Sequence, residues 1–417
     1  MKRKLAFVVQ RYGMEVNGGA ETLSRELVEH LNDEYEVEVL TTKALEYTTW
    51  EDYYTADVEQ LNGVAVRRFG VEKPRDIKKF GRFCGKVLDN PNHTQEQEDK
   101  WFDMQGPETP ALVNYIDQHQ DDYCVFIFMT YLYYTSVMGL TKVAKKAILI
   151  PTAHDEPPIY LRRFEELFHM PKALFYLTHE EQEFVEKKFH NEDILNNSGF
   201  GGSGIEVPDN PDKQRILKEH NITDYIVYAG RVDQSKGCAE MFKFFLKYKR
   251  RHKGDLKLVL IGKPVIRIPH SRYILSLGFV SEECKYDVMA GAKMLIMPSP
   301  FESLSIVVLE SLALSVPILC NGKCEVLKGH CERSKAGLYY HNYNEFETEL
   351  DTMLASSQLR AEMGERGKAY VSEYYTWDKV KSRFVTLIEQ VIASEDATEG
   401  TAVDAVVEPE DNEYEER

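Results

Sequence analysis

Two glutamates eight residues apart, Glu302 and Glu310, follow a Pro-Ser-Pro turn (Pro298 to Pro300) and carry the densest chemical signal in the chain. The apolar run 294–297 before the turn reads as a strand. The run 306–309, continued by Leu312 and Leu314, reads as a buried helix. Glu302 then sits in the strand-to-helix loop and Glu310 two turns along the helix. Eight helical steps leave the carboxylates roughly 80° apart around the axis, so one meets a ligand at the loop and the other along the helix flank. Backbone N–H groups of Leu304 and Ser305 open the helix and are placed to receive an anion. A polyhydroxylated, phosphorylated ligand fits that arrangement. The bland alternative is a helix N-terminus favoured by one acidic residue, plus one partly buried glutamate.

A cationic pair precedes the glutamates. Arg231 and Lys236 leave the carboxyl end of the strand-like run 225–228, on a loop bounded by Gly230 and Gly237. In an open α/β sheet that edge is where ligands bind. A guanidinium fork and an ammonium point charge together suit a diphosphate, although surface Arg and Lys are commonly just solvated.

The elements that must position these residues are strands alternating with helices through both halves, the pattern of parallel sheets with crossover helices. Strands are expected at 5–9, 37–40, 124–129, 147–151 and 173–177, then at 225–228, 257–261, 274–277, 294–297 and 317–320. Helices are expected at 19–31, 179–188, 239–251, 359–374 and 376–392, while 71–109 reads as an insertion or mobile helical region. The Gly/Pro-rich stretch 196–211 marks an interdomain linker. The predicted fold class is therefore α/β, with two Rossmann-like domains facing across a cleft. The first spans 1–200, the second 208–375, a terminal helix 376–394, and 395–417 forms a disordered acidic tail.

The chain has 417 residues, 43% of them hydrophobic and 29% charged, which suits a soluble protein with two cores of ordinary size. No apolar run is long enough to span a bilayer. The seven cysteines are scattered and odd in number, which fits free thiols in a reducing cytoplasm. Cys320, Cys324 and Cys331 with His330 lack zinc-knuckle spacing, so no metal site is expected. The formal charge is −17, but residues 395–417 hold ten acids and one arginine, a contribution of −9. The remainder carries −17 + 9 = −8, mildly acidic, which argues against a nucleic-acid partner.

Taken together, Arg-x4-Lys-Gly after the first strand of the second domain and Glu-x7-Glu about 70 residues later resemble the retaining glycosyltransferases of family 4, with the GT-B fold. Other pieces match in order: Gly18-Gly19-Ala20-Glu21 after the first strand, His154-Asp155 after a mid-domain strand, and Leu277-Gly278-Phe279 in the second domain. The resemblance implies a hexosyltransferase using a UDP- or GDP-sugar as donor substrate, with no cofactor. Arg231 and Lys236 would hold the diphosphate, Glu302 and His154 would contact the donor sugar, and Glu310 would take the ribose hydroxyls. Gly18, Gly19 and Gly230, with the N–H groups of Leu304 and Ser305, would complete the nucleotide-sugar site. Ser315 stands where the family usually has glycine, and Gly262-Lys263-Pro264 replaces a commoner Gly-x-Gly. The chain contains no Asp-x-Asp, so a metal-bridged diphosphate is not indicated. Two further readings stay open, a nucleotide-sugar epimerase and a non-catalytic subunit supporting a partner.

The acceptor, a glycan or lipid-linked precursor, would fall to the first domain. There Arg75, Lys78, Lys79, Arg82 and Lys86 interleave with Phe80 and Phe83. Taken alone, such a run reads first as a solvated basic helix. The other reading is a peripheral contact with the inner face of the membrane. Tyr131, Tyr133 and Tyr134 either stack on sugar rings or pack.

Overall fold

Residues 2–16, 18–198 and 201–404 are described in a computed structural model of the chain. The apolar runs pair into two sheets. The first contains β1 (Lys4–Val8), β2 (Glu36–Thr42), β3 (Val58–Leu61), β4 (Val64–Phe69), β5 (Val125–Met129), β6 (Ala147–Ile150), β7 (Ala173–Leu174) and β8 (Leu195–Asn196). Its order is β3-β4-β2-β1-β5-β6-β7-β8, parallel apart from the β3–β4 hairpin at the edge. The second holds β9 (Tyr225–Ala229), β10 (Lys257–Ile261), β11 (Ile274–Gly278), β12 (Leu295–Met297), β13 (Ile318–Asn321) and β14 (Gly337–Tyr340), ordered β11-β10-β9-β12-β13-β14 and parallel throughout. Central strands such as β5 and β9 are buried along their whole length, which is why they read as continuous apolar runs rather than alternating ones. In both sheets the order reverses beside the first strand, and the carboxyl edges at those switch points face each other.

The hairpin β3–β4 was not expected from the sequence. Its residues alternate polar and apolar over few positions, with Asn62 and Gly63 making the turn. The segment 71–109 contains the helices Ile77–Leu88 and Gln95–Gln105, the second opened by a capping box from Thr94 and Gln97.

The linker glycines are dictated by contact. A Cβ on Gly204 would lie 2.1 Å from the Trp377 indole, and one on Gly202 2.6 Å from the Tyr375 ring. Two aromatics thus lock the linker under the start of the terminal helix. That helix, Trp377–Asp404, lays Val380, Phe384, Leu387, Ile388 and Val391 onto the first domain, with Phe384 stacked on Phe175 at 3.4 Å. Tyr35 and Arg3 from the first domain both bond Glu389. The helix corrects the expected boundary: residues 395–404 are helical rather than part of a disordered tail. Once a packed stretch has nucleated, each further residue adds a backbone hydrogen bond at little extra cost. The rest of the expected tail, 405–417, lies outside the described residues.

Candidate active site

The cleft between the two carboxyl edges holds a cavity of about 420 Å³. Of the residues singled out in the sequence, Gly18, Gly19, His154, Arg231, Lys236, Glu302, Leu304 and Ser305 line it. Gly230 and Glu310 do not.

Loop 302–305 is shaped by what precedes it. Gly237 has φ +72, and a Cβ there would stand 2.2 Å from the Pro298 carbonyl oxygen. The Lys-Gly pair is therefore required for the cationic loop to pack on the Pro-Ser-Pro turn. Lys236 Nζ reaches Glu302 Oε1 at 2.7 Å, and Arg231 Nη1 donates to the Tyr47 hydroxyl at 2.7 Å. Tyr47 belongs to the first domain, so the cationic loop already touches both walls of the cleft. Helix Ile306–Ala313 starts later than expected, because Ser305 adopts a left-handed φ of +65. The Leu304 and Ser305 amides thus belong to the turn, and the first helical N–H groups are those of Ile306, which lines the cavity, and Val307. No propensity argument reveals a left-handed serine.

Glu310 lies on the flank of that helix. Its Oε1 receives Lys285 Nζ at 2.8 Å and the Tyr286 hydroxyl at 3.0 Å. Oε2 is buried and has no hydrogen-bond partner. A buried carboxylate oxygen without a donor is costly, and a ligand hydroxyl would satisfy it.

On the opposite wall, Gly18 precedes helix Gly19–Leu31, and a Cβ there would lie 2.1 Å from Glu21 Oε2. Glu21 is buried and accepts from Gln10 Nε2 at 2.9 Å and from Arg11 Nη2 at 2.5 Å. This buried ion pair holds the glycine turn against the cavity. Gln10 Oε1 is buried there without a partner.

His154 follows β6, after Thr152, which is held at φ +52. Thr130, after β5, sits at φ +71 and also lines the cavity. β-Branched residues avoid this region, and such strain clusters at functional sites. The His154 ring faces Phe301 at 5.6 Å, and its Nε2 is 3.4 Å from Glu156 Oε2. Burial opposes the charged imidazole, but the Glu156 hydrogen bond and charge outweigh it and raise the pKa above the ordinary value. Glu156 in turn is held below the usual carboxylate range: burial acts against ionisation, and His154 and the Tyr131 hydroxyl, at 2.9 Å, overcome it. Behind them Glu181, fully buried, accepts the Ala153 and Leu177 amides, both at 2.6 Å, and burial pushes its pKa to about 8.

Tyr47, Glu156 and Glu21 with Arg11 were not assigned roles from the sequence. Glu156 lies two residues past His154, and that spacing was its only available signal. Tyr131 packs against Phe164 and Phe168 and, like Tyr133, lines the cavity, whereas Tyr134 stacks on Phe102 away from it. Cys320, Cys324 and Cys331 are buried free thiols, and His330 is tied to protein atoms.

Residues 209–370 match the family Glycosyl transferases group 1. Over 276 residues the chain is 25% identical to an N-acetylgalactosamine-N,N'-diacetylbacillosaminyl-diphospho-undecaprenol 4-alpha-N-acetylgalactosaminyltransferase of Campylobacter jejuni, covering 61% of this chain and 73% of that one. Among solved structures it resembles sucrose-phosphate synthase of Thermosynechococcus elongatus, with TM-score 0.69 and 14% identity over 94% of this chain and 100% of that one. The Anabaena HepE structure in complex with UDP and glucose gives TM-score 0.64 and 14% identity over 95% and 100%. At that identity the structures show the fold, which is GT-B. The family match and the Campylobacter relative support a glycosyltransferase.

Proposed function

We propose that this chain is a retaining, metal-independent hexosyltransferase of family 4, moving a sugar from a UDP- or GDP-sugar to a glycan or lipid-linked acceptor in polysaccharide biosynthesis. The observation that carries the reading is the convergence of Arg231, Lys236, Glu302 and His154 from two domains on one cavity. Transfer of a glycosyl group develops positive charge on the sugar and negative charge on the departing diphosphate. Help is worth most on the phosphate, where preorganised donors in a water-poor site need no reorganisation. Arg231 and Lys236 supply two such charges, and the turn amides at Leu304 and Ser305 add neutral donors. Glu302 is then free to exchange Lys236 for sugar hydroxyls, and Glu310 offers Oε2 to the ribose. An epimerase or a non-catalytic subunit is not favoured, since the cationic pair is retained and the matched family is one of transferases.

The acceptor half of the proposal rests on the first domain and on the diphospho-undecaprenol named for the Campylobacter relative. Helix Ile77–Leu88 buries Val87 and packs Phe80, Phe83 and Cys84, half-buried, against the first-domain core, so the aromatics expected at an interface face inward. Its outer face shows Lys78, Lys79, Arg82 and Lys86 with Ile77, which is 54% exposed. Arg75, one residue before its N-cap, donates to the Tyr47 carbonyl, tying this helix to the cleft loop. A peripheral contact with an anionic cytoplasmic membrane face would place the cleft mouth beside a lipid-linked acceptor. No helix among the described residues is long and apolar enough to cross a membrane.

Thermal-shift screening against UDP- and GDP-sugars in EDTA tests the donor reading. One nucleotide sugar should stabilise the protein, by about 2.7 kcal/mol at a hundredfold excess over its dissociation constant. It should also be consumed with release of nucleoside diphosphate. Stabilisation by none of them, or turnover only after magnesium or manganese is added, would overturn the proposal.

A further inference from the structure

His330 lies outside the cleft, fully buried on helix Glu325–Ser334, yet it holds the loop that forms the cavity floor. Its Nε2 is 2.8 Å from the Leu304 carbonyl oxygen and its Nδ1 3.2 Å from the Tyr370 hydroxyl. A carbonyl only accepts, so the ring proton sits on Nε2, and Nδ1 accepts from Tyr370. With its own proton committed, the Tyr370 oxygen accepts from Arg333 Nε at 3.4 Å and from the Tyr375 hydroxyl at 3.1 Å. Arg333 grips Glu180 with both terminal nitrogens. Glu180 belongs to the first domain, on helix His179–Phe189. The donor directions are thus set along the whole chain of contacts, from an interdomain ion pair to a backbone carbonyl in loop 302–305. The imidazole stays neutral, because burial, aided by Arg333, lowers its pKa to about 4. A second tie runs alongside: Thr178, capping the same first-domain helix, donates its hydroxyl to the Ser303 carbonyl at 3.2 Å. Two successive carbonyls of the loop, those of Ser303 and Leu304, are therefore held by side chains outside the cleft, while residues 302–305 line the cavity.

We infer that His330 is a positioning residue for loop 302–305 and that, through Tyr370 and Arg333, it couples this loop to the ion pair with Glu180 across the domain boundary. The inference rests on the donor-binding role proposed for the loop. Domain arrangement and donor affinity then become one equilibrium: loosening the Arg333–Glu180 contact frees the loop, and filling the site tightens the contact.

Hydrogen exchange on the full chain tests the positioning without any ligand. In His330→Leu, amides in 300–308 should exchange about tenfold faster, as loss of one buried hydrogen bond allows. His330→Gln keeps a donor toward Leu304 and an acceptor for Tyr370, and should exchange like wild type. Glu180→Ala, at the far end of the relay, should move the same amides in the same direction. Tyr370→Phe preserves the ring packing and should do likewise, which covers the case in which His330→Leu fails to fold. Equal acceleration in the Gln and Leu variants, or an unchanged loop in Glu180→Ala, would overturn the inference. Calorimetry with UDP and with GDP adds the functional arm: Glu180→Ala should bind the preferred nucleotide about fivefold more weakly, at the low end of site-to-site coupling. If wild type binds neither nucleotide, the donor reading fails, while the exchange data still decide the role of His330.

Discussion

Arg231 and Lys236 each have partners at the cleft: Arg231 donates to the Tyr47 hydroxyl at 2.7 Å and pairs with Asp233 at 3.1 Å, and Lys236 pairs with Glu302 at 2.7 Å. Replacing either with alanine should cut transfer by about 10²-fold or more, the loss typical of one preorganised charge stabiliser. Both side chains sit on a loop, so thermal midpoints should stay near wild type, and steady-state rates with the donor check the claim. His154 and Glu156 invite a different measurement. The imidazole pKa is raised in the fold, so its ion pair contributes stability that is complete below the unfolded value of about 6.5 and is lost as pH climbs through the folded value. The Glu156 carboxylate is depressed, so its share vanishes only in acid. Glu156→Gln should therefore lower the thermal midpoint more at pH 6 than at pH 9. An equal drop at both would show that the pair is not charged.

At the scale of elements, the cleft is assembled by residues that no regular secondary structure would choose. Thr130 and Thr152 end two neighbouring strands in left-handed conformations, and Ser305 bends the chain into helix Ile306–Ala313. Ser315, standing where the resembled family has glycine, likewise has φ +60, which explains the family preference and shows that serine tolerates the turn. The basic helix Ile77–Leu88 is the element that bears on the acceptor. Reversing Lys78, Lys79, Arg82 and Lys86 to glutamate touches nothing in the cleft. It should abolish co-sedimentation with vesicles containing anionic lipid, since each such cation contributes about 1 kcal/mol at a charged surface. Binding of nucleotide should be untouched. Persistent vesicle binding, or none by wild type, would remove the membrane from the proposal.

For the whole molecule, the terminal helix decides whether two domains behave as one. Trp377 spans the boundary, stacked on His30 at 4.0 Å and packed against Gly204 of the linker. Val391 is the last buried side chain among the described residues of this helix, so truncation after Ser394 should leave folding and nucleotide binding intact. Truncation before Tyr375 uncovers the stripe and the aromatic lock on the linker, and should yield aggregated protein by size-exclusion chromatography. A soluble, active short form would mean the domains hold together without the helix.

The sequence by itself determined the α/β class and the two-sheet GT-B architecture, and eight of the ten residues it singled out as a site line the cavity. Parallel strands buried on both faces are written as unbroken apolar runs, and Arg-x4-Lys-Gly and Glu-x7-Glu are local patterns anchored to such strands. Short elements with weak patterning, such as β3–β4 and β14, were not legible, because their stability comes from neighbours rather than from their own residues. Nor was the later start of helix Ile306–Ala313, which one left-handed serine sets. Contacts made only when distant segments meet were decided by tertiary structure alone. Tyr47 on Arg231 joins residues 184 apart, and Glu180 on Arg333 joins residues 153 apart. Single-sequence spacing cannot encode such pairs, because a hydrogen bond depends on where two loops end in space, and that is fixed by the packing of both sheets around the cleft.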